Sequence, residues 1–214
     1  MKTTEITTII EQNAQEIINN IDLESINYYV LLKSEFEKSD VSENNIFQTA
    51  FRIFYGMDHV GFDEEFKMKY FKLFEKYRNR TALDVEDVFI ALQRIKNFDG
   101  KDALIFSFAS KLLCTIDDSL PIYDKEVCDV FSFTEPIDVD FAMVIDILFD
   151  QFEIMQNHFT EIINNNLLQV TIRLFDEKFN QNNLSIIKKL DFIFWSFGKL
   201  KVLENHIDQI KILY

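Results

Sequence analysis

The chain is 214 residues long, 48% apolar with 23 Phe, and sets 22 Lys and Arg against 36 Asp and Glu for a formal net charge of -14. That apolar content supports a core without disulfides or metals, while four Gly and two Pro are too few for the turns of an all-β fold and point to long helices with short loops. The charge repels polyphosphate at long range and favours basic partners.

Ile6, Ile9, Ile10, Ala14, Ile17 and Ile18 share one face at helical spacing and predict a first helix over about Thr4 to Asn19. Leu23, Ile26, Tyr29, Val30 and Phe36 predict a second. A third, with Ser42 as its N-cap, carries Ile46, Ala50, Phe51 and Phe54 and stops at Gly56. Beyond Gly61, the segment FDEEFKMKYFKLFEKYRNR has its acids first and its bases after, the order favoured by a helix dipole. Phe66, Tyr70, Leu73, Phe74 and Tyr77 mark its buried side, with Lys69, Lys72 and Lys76 opposite. Asp84 caps the next helix, and Asn97-Phe98-Asp99-Gly100 is read as a tight turn into another.

The stretch Ser107–Phe131 closes that helix, crosses an acidic turn at Asp117-Asp118 and a short extended piece at Leu120-Pro121-Ile122-Tyr123, and starts a new helix at Asp124. Pro136 interrupts the chain before a long helix from about Asp138 to His158, with Phe141, Val144, Leu148, Phe152 and Met155 inward and Asp146, Asp150 and Glu153 outward. Asn164-Asn165-Asn166 marks a kink or loop. Two further helices are expected near Leu167–Phe179 and Ser185–Phe197, the second ended by Gly198, with one last helix in the tail. No fixed-period repeat or low-complexity linker divides the chain. The expectation is an all-α globule of nine to ten helices, one domain over 1–214, with a two-lobed division near 80–100 left open.

Chemistry is sparse. With Gly only at 56, 61, 100 and 198, neither a P-loop nor a dinucleotide fingerprint can be written, so no cofactor is expected. His158 and Glu161 sit three apart on a helix and could reach one ion. A di-iron bundle uses Glu-x-x-His twice, however, and here the order is reversed and single, so no metal is expected. No Ser or Cys sits in a nucleophile elbow. Cys114 and Cys128 lie within apolar helical patterns and read as buried free thiols of a reducing compartment. With no charged-then-apolar leader and no apolar run of roughly 18 residues, a cytoplasmic location and no membrane contact are expected.

Two charged regions stand out. From Lys67 to Arg80, bases interleave with aromatics, a pattern that suits phosphate contact and base stacking, although the aromatics have core spacing and lie opposite Lys69, Lys72 and Lys76. From Glu126 through Ile172 there is no Lys or Arg, while Glu135, Asp138, Asp140, Asp146, Asp150 and Glu153 are all acidic. Like charge over that length costs self-repulsion, which a docked basic partner relieves.

At Phe108-Ala109-Ser110-Lys111-Leu112-Leu113, then Leu120-Pro121-Ile122-Tyr123-Asp124 and Val127, the chain resembles the helix-hairpin-helix DNA glycosylase superfamily over about residues 100–131. The resemblance implies a related helical arrangement and base flipping. It also implies a role for Asp124 as the carboxylate that stabilises oxocarbenium character at the sugar and helps orient the attacking water or amine. The family's hairpin uses glycine-containing turns to bring backbone N–H groups to a phosphate, whereas Lys101–Phe108 reads KDALIFSF. The nucleophilic lysine of bifunctional members would fall near Phe106 or Ser107, and Lys111 lies about a turn later. Asp124 equally serves as a helix N-cap.

Two functional expectations follow. The first is a non-enzymatic acidic interaction protein, of the immunity or nuclease-inhibitor kind, that binds a basic protein through Glu135, Asp138, Asp140, Asp146, Asp150 and Glu153 on a degenerate glycosylase-like scaffold. The second is a nucleic-acid base glycosylase or lyase relative that uses Asp124 for catalysis and Lys69, Lys72 and Lys76 for phosphate contact.

Overall fold

The computed structural model describes residues 2–80, 84–95, 102–180 and 183–212, with side chains described as far as Lys201. All regular structure there is helical: α1 (Thr3–Gln12), α2 (Ala14–Asn19), α3 (Leu23–Lys38), α4 (Asn45–Phe54), α5 (Glu64–Tyr77), α6 (Val85–Gln93), α7 (Asp102–Ile116), α8 (Lys125–Phe131), α9 (Phe141–Asn164), α10 (Gln169–Lys178) and α11 (Ile186–Ile212), with a short 3-10 turn at Met57–His59. The packing divides into two compact units, Leu23–Leu120 and a second made of Met1–Asp22 with Pro121–Tyr214. The boundaries fall at positions 22 and 120.

The 23–120 unit is organised by aromatic side chains. Phe47, Phe51, Tyr70, Phe71 and Phe74 are all fully buried. Their rings meet edge to face, Phe47 with Phe74 at 5.4 Å and 80° and Phe51 with Phe71 at 5.7 Å and 86°, the arrangement that the ring quadrupoles favour. The Tyr70 hydroxyl donates to the Phe108 carbonyl at 2.8 Å, so its burial leaves no donor stranded. Burial holds the Tyr70 phenol well above its ordinary range. Asp63 and Asp84 cap α5 and α6 by accepting from the backbone N–H groups of Phe66 and Glu86. The α4 cap is Asn44, accepting from Phe47 N–H, rather than Ser42. Gln48 instead holds the Val41 and Ser42 carbonyls. The expected turn at 97–100 lies outside the described residues.

In the other unit the expected first helix is broken. Asn13 donates its side-chain amide to the Ile9 carbonyl at 2.8 Å and sits at φ -109° and ψ 15°, so α1 and α2 are separate. The Asn13 backbone N–H still reaches the Ile9 and Ile10 carbonyls at 3.2 and 3.1 Å, so the division is one of backbone angle rather than of a lost ladder bond at Asn13. Lys178 closes the end of α2, donating to the carbonyls of Ile18, Asn19 and Ile21 at 2.8, 3.2 and 2.7 Å. Gly198 does not end a helix, because α11 continues to Ile212. A Cβ at Gly198 would lie 2.1 Å from the Glu126 carbonyl oxygen, so glycine is needed where α11 crosses the α8 backbone.

Candidate functional site

Asp124 is the N-cap of α8. Its backbone is extended (φ -126°, ψ 153°) and its carboxylate accepts from Glu126 N–H at 3.3 Å. The preceding Pro121–Tyr123 belongs to no regular element, so its backbone polar groups must find partners elsewhere. Ile122 N–H finds one on α11, donating to Asp191 Oδ1 at 3.0 Å. The other Asp191 oxygen accepts from Lys188 Nζ at 2.5 Å, one turn away on the same helix. Lys188 is 1% exposed. Burial pushes the Asp191 carboxyl above its usual range, against the opposing pull of Lys188 and the Ile122 N–H. The buried ion pair thus clamps the segment that delivers Asp124. Lys188 and Asp191 escape sequence reading because IIKKLDFIFW resembles an ordinary amphipathic run. Their one signal is a Lys-x-x-Asp spacing with apolar residues on either side.

Beside this clamp, Tyr123 Oη donates to Gln151 Oε1, and Gln151 Nε2 donates to the Thr134 carbonyl at 2.9 Å. Burial raises both the Tyr123 phenol and the Cys128 thiol, the latter to about 12. Cys114 and Cys128 are buried and form no disulfide, and a thiol held protonated as Cys128 is makes a poor nucleophile. The α7 helix is unbroken over 102–116. Lys111 on it is buried, its Nζ 4.8 Å from the Phe108 ring centroid and 5.5 Å from that of Tyr55.

The acidic residues form a different surface. Asp140 caps α9 through Met143 N–H, and Glu135, Asp138, Asp140, Asp146, Asp150 and Glu153 are all exposed. None of the six has an ion-pair partner among the described residues. Val144, Leu148, Phe152 and Met155 are buried as the helical period requires. Phe141, expected inward, is 47% exposed. It has the azimuth of the buried residues but sits in the first turn of α9, where residues 141–143 are all exposed.

On α5, Lys69 pairs with Glu65 at 2.6 Å and Lys76 lies over the Tyr77 ring at 5.2 Å. Lys72 is exposed, and Lys67 is buried between Asp58 and Glu64. The aromatic residues between them are core, so this face offers charge without stacking rings. His158 and Glu161 come together, but on Thr3: its Oγ1 lies 2.8 Å from His158 Nδ1 and donates to Glu161. His158 also stacks on Phe131 at 4.9 Å. Burial lowers its pKa, with Glu161 opposing. Among the described residues no group of three or more His, Cys, Asp or Glu is arranged to hold a metal ion. A groove of about 600 Å³ has an apolar floor of Ile162, Ile163, Leu167, Ile172 and Ile186. Asp176 at its edge is paired with Lys189 at 2.6 Å. No helix among the described residues is long and apolar enough to cross a membrane.

Comparison with protein-family models, with curated proteins and with solved structures finds no match to this chain.

Proposed function

We propose that this chain is a non-enzymatic acidic interaction protein, of the immunity or nuclease-inhibitor kind, that docks a basic protein on the surface carrying Glu135, Asp138, Asp140, Asp146, Asp150 and Glu153. One observation carries the reading: all six carboxylates are exposed and, among the described residues, unpaired, in a stretch from Glu126 to Ile172 that contains no Lys or Arg. Elsewhere in the chain acids are routinely neutralised, as Asp58, Glu64, Glu65 and Glu75 are. Unneutralised like charge destabilises the folded unit through self-repulsion, and a cationic partner removes that cost while gaining a steered association rate. The test is affinity capture with the wild-type chain and with Asp146→Lys/Asp150→Lys/Glu153→Lys, followed by titration of the captured basic protein. Salt-sensitive binding lost in the charge-reversed chain supports the reading. Equal binding by both chains removes it.

The buried Lys188–Asp191 clamp favours a second reading, a base glycosylase or lyase relative with Asp124 as the acting carboxylate and Lys69, Lys72 and Lys76 as phosphate contacts. Holding a buried ion pair in place is costly, and this one fixes the segment entering Asp124. Asp124→Asn keeps an oxygen acceptor for the Glu126 N–H and so preserves the cap. Base release from damaged duplexes by the wild type and not by Asp124→Asn would establish this reading. Equal inactivity of both chains leaves the cap as the role of Asp124.

A further inference from the structure

The acidic face is also an apolar one. Ile137 is 70% exposed, Met143 50% and Ile154 45%, and Val139 and Phe141 are exposed as well. These side chains share residues 137–154 with the unpaired carboxylates. Helical geometry places them in register. At 100° per residue, Met143, Asp150 and Ile154 lie within about 20° of one line along α9, with Asp146 and Glu153 immediately to one side. The line faces away from the stripe of Val144, Leu148, Phe152 and Met155, which is buried. Met143 and Ile154 are about 16 Å apart along the axis, three turns of helix with acids between them.

Carboxylates alone would suit any polycation. Met143 and Ile154, exposed among them, add an apolar component that a polycation alone leaves uncovered. Resting on the interaction reading above, we propose that the outward face of α9 docks a basic amphipathic helix of a partner protein. Its aliphatic side chains cover Met143 and Ile154, and its Lys or Arg side chains pair with Asp146, Asp150 and Glu153. An extended polybasic tail supplies the charge but leaves the two apolar side chains exposed. A helix with both residue types at three- and four-residue spacing matches both features of the face.

The probe is a labelled synthetic helix of Leu and Lys at that spacing, compared by fluorescence anisotropy with an isomer of the same composition scrambled to have no apolar face. The full chain should bind the patterned peptide at least about tenfold more tightly than the scrambled one, a difference of about 1.4 kcal/mol. Met143→Ser/Ile154→Ser should abolish that difference, and Asp146→Asn/Asp150→Asn/Glu153→Gln should weaken both peptides. All five positions are exposed, so helicity by circular dichroism should be unchanged. If both peptides bind equally and only the carboxylate variant weakens them, the helix proposal falls and the basic-partner reading stands. If neither peptide binds, both fall. If sedimentation shows that the wild type self-associates and Met143→Ser/Ile154→Ser does not, the face is covered by a second copy and the proposal is overturned.

Discussion

Two glycines separate steric from conformational need at the scale of a single residue. At Gly198 an added Cβ would sit 2.1 Å from the Glu126 carbonyl oxygen and 2.7 Å from its carbon, both backbone atoms that cannot turn aside. At Gly56 the space is empty within 4 Å, and only its φ of +64° resists a side chain. Gly198→Ala should therefore cost about 3 kcal/mol, the upper part of the overpacking range. Gly56→Ala should cost about 1 kcal/mol, the penalty of a left-handed non-glycine residue. Urea unfolding midpoints at constant slope measure both, and equal losses would show that α11 and α8 can separate without penalty. Sequence alone reads Gly198 as a helix stop, since glycine is common at helix ends and nothing local reveals a backbone crossing from 72 positions earlier in the chain. The same limit hid Lys188 and Asp191, whose partner Ile122 N–H lies 69 residues away. Asp84 and Asp124 were legible as caps because capping is local, reaching only the next turn.

Among helices, the connection of α4 to α5 illustrates a charge device that pH can switch off. Arg52 on α4 and Lys67 on α5 both bind Asp58 in the 3-10 turn between them, at 2.8 and 2.7 Å, and both also reach Glu64. Hydrogen bonds from Arg52 and then Lys67 hold the Asp58 carboxyl below its ordinary value of 3.8. For Lys67, burial works against the charged form, but Asp58 and Glu64 more than offset it and its pKa is raised. The sign for Asp58 follows directly. Below 3.8 the unfolded chain takes up the proton first, so the contribution of Asp58 is present above that value and is lost as pH falls through the lower folded one. Asp58 is 40% exposed, so solvent screening limits the contribution to about 1 kcal/mol. Asp58→Asn should be less stable than the wild type by about that amount at pH 7, and the gap should narrow as pH falls below 3.8 and through the lower folded value. A gap unchanged in acid, measured by thermal unfolding of both chains, would assign the loss to packing. The helices themselves were largely readable from their apolar period. Exceptions arose at helix ends, as where the backbone at Asn13 divides α1 from α2 and at Phe141 in the exposed first turn of α9. The outward carboxylates of α9 followed from the same period, which also turns Met143 and Ile154 outward, whereas how far those two are left uncovered required the packed structure.

Over the molecule as a whole, charge is unevenly shared. The 23–120 unit has 13 Lys and Arg against 17 Asp and Glu, and the other unit has 9 against 19, so the latter carries -10 of the -14. Twelve ion pairs among the described residues would be weakened by salt, but most are exposed and individually small. Net repulsion within the acidic unit outweighs them, because its surface carboxylates have few cations nearby and act on one another across a Debye length of about 30 Å at 0.01 M salt and about 10 Å at 0.1 M. Raising NaCl from about 0.01 M to about 0.3 M should therefore raise the melting temperature, while binding to a cationic partner through α9 should weaken over the same range. Asp146→Asn/Asp150→Asn/Glu153→Gln should stabilise the free chain at low salt, flatten its salt response and reduce its affinity together. The three carboxylates would then oppose folding and favour association through the same repulsion, relieved either by ions or by the partner. A melting temperature that falls with added salt would reverse that ranking and make the ion pairs, rather than the unpaired acids, the governing electrostatic feature of the fold.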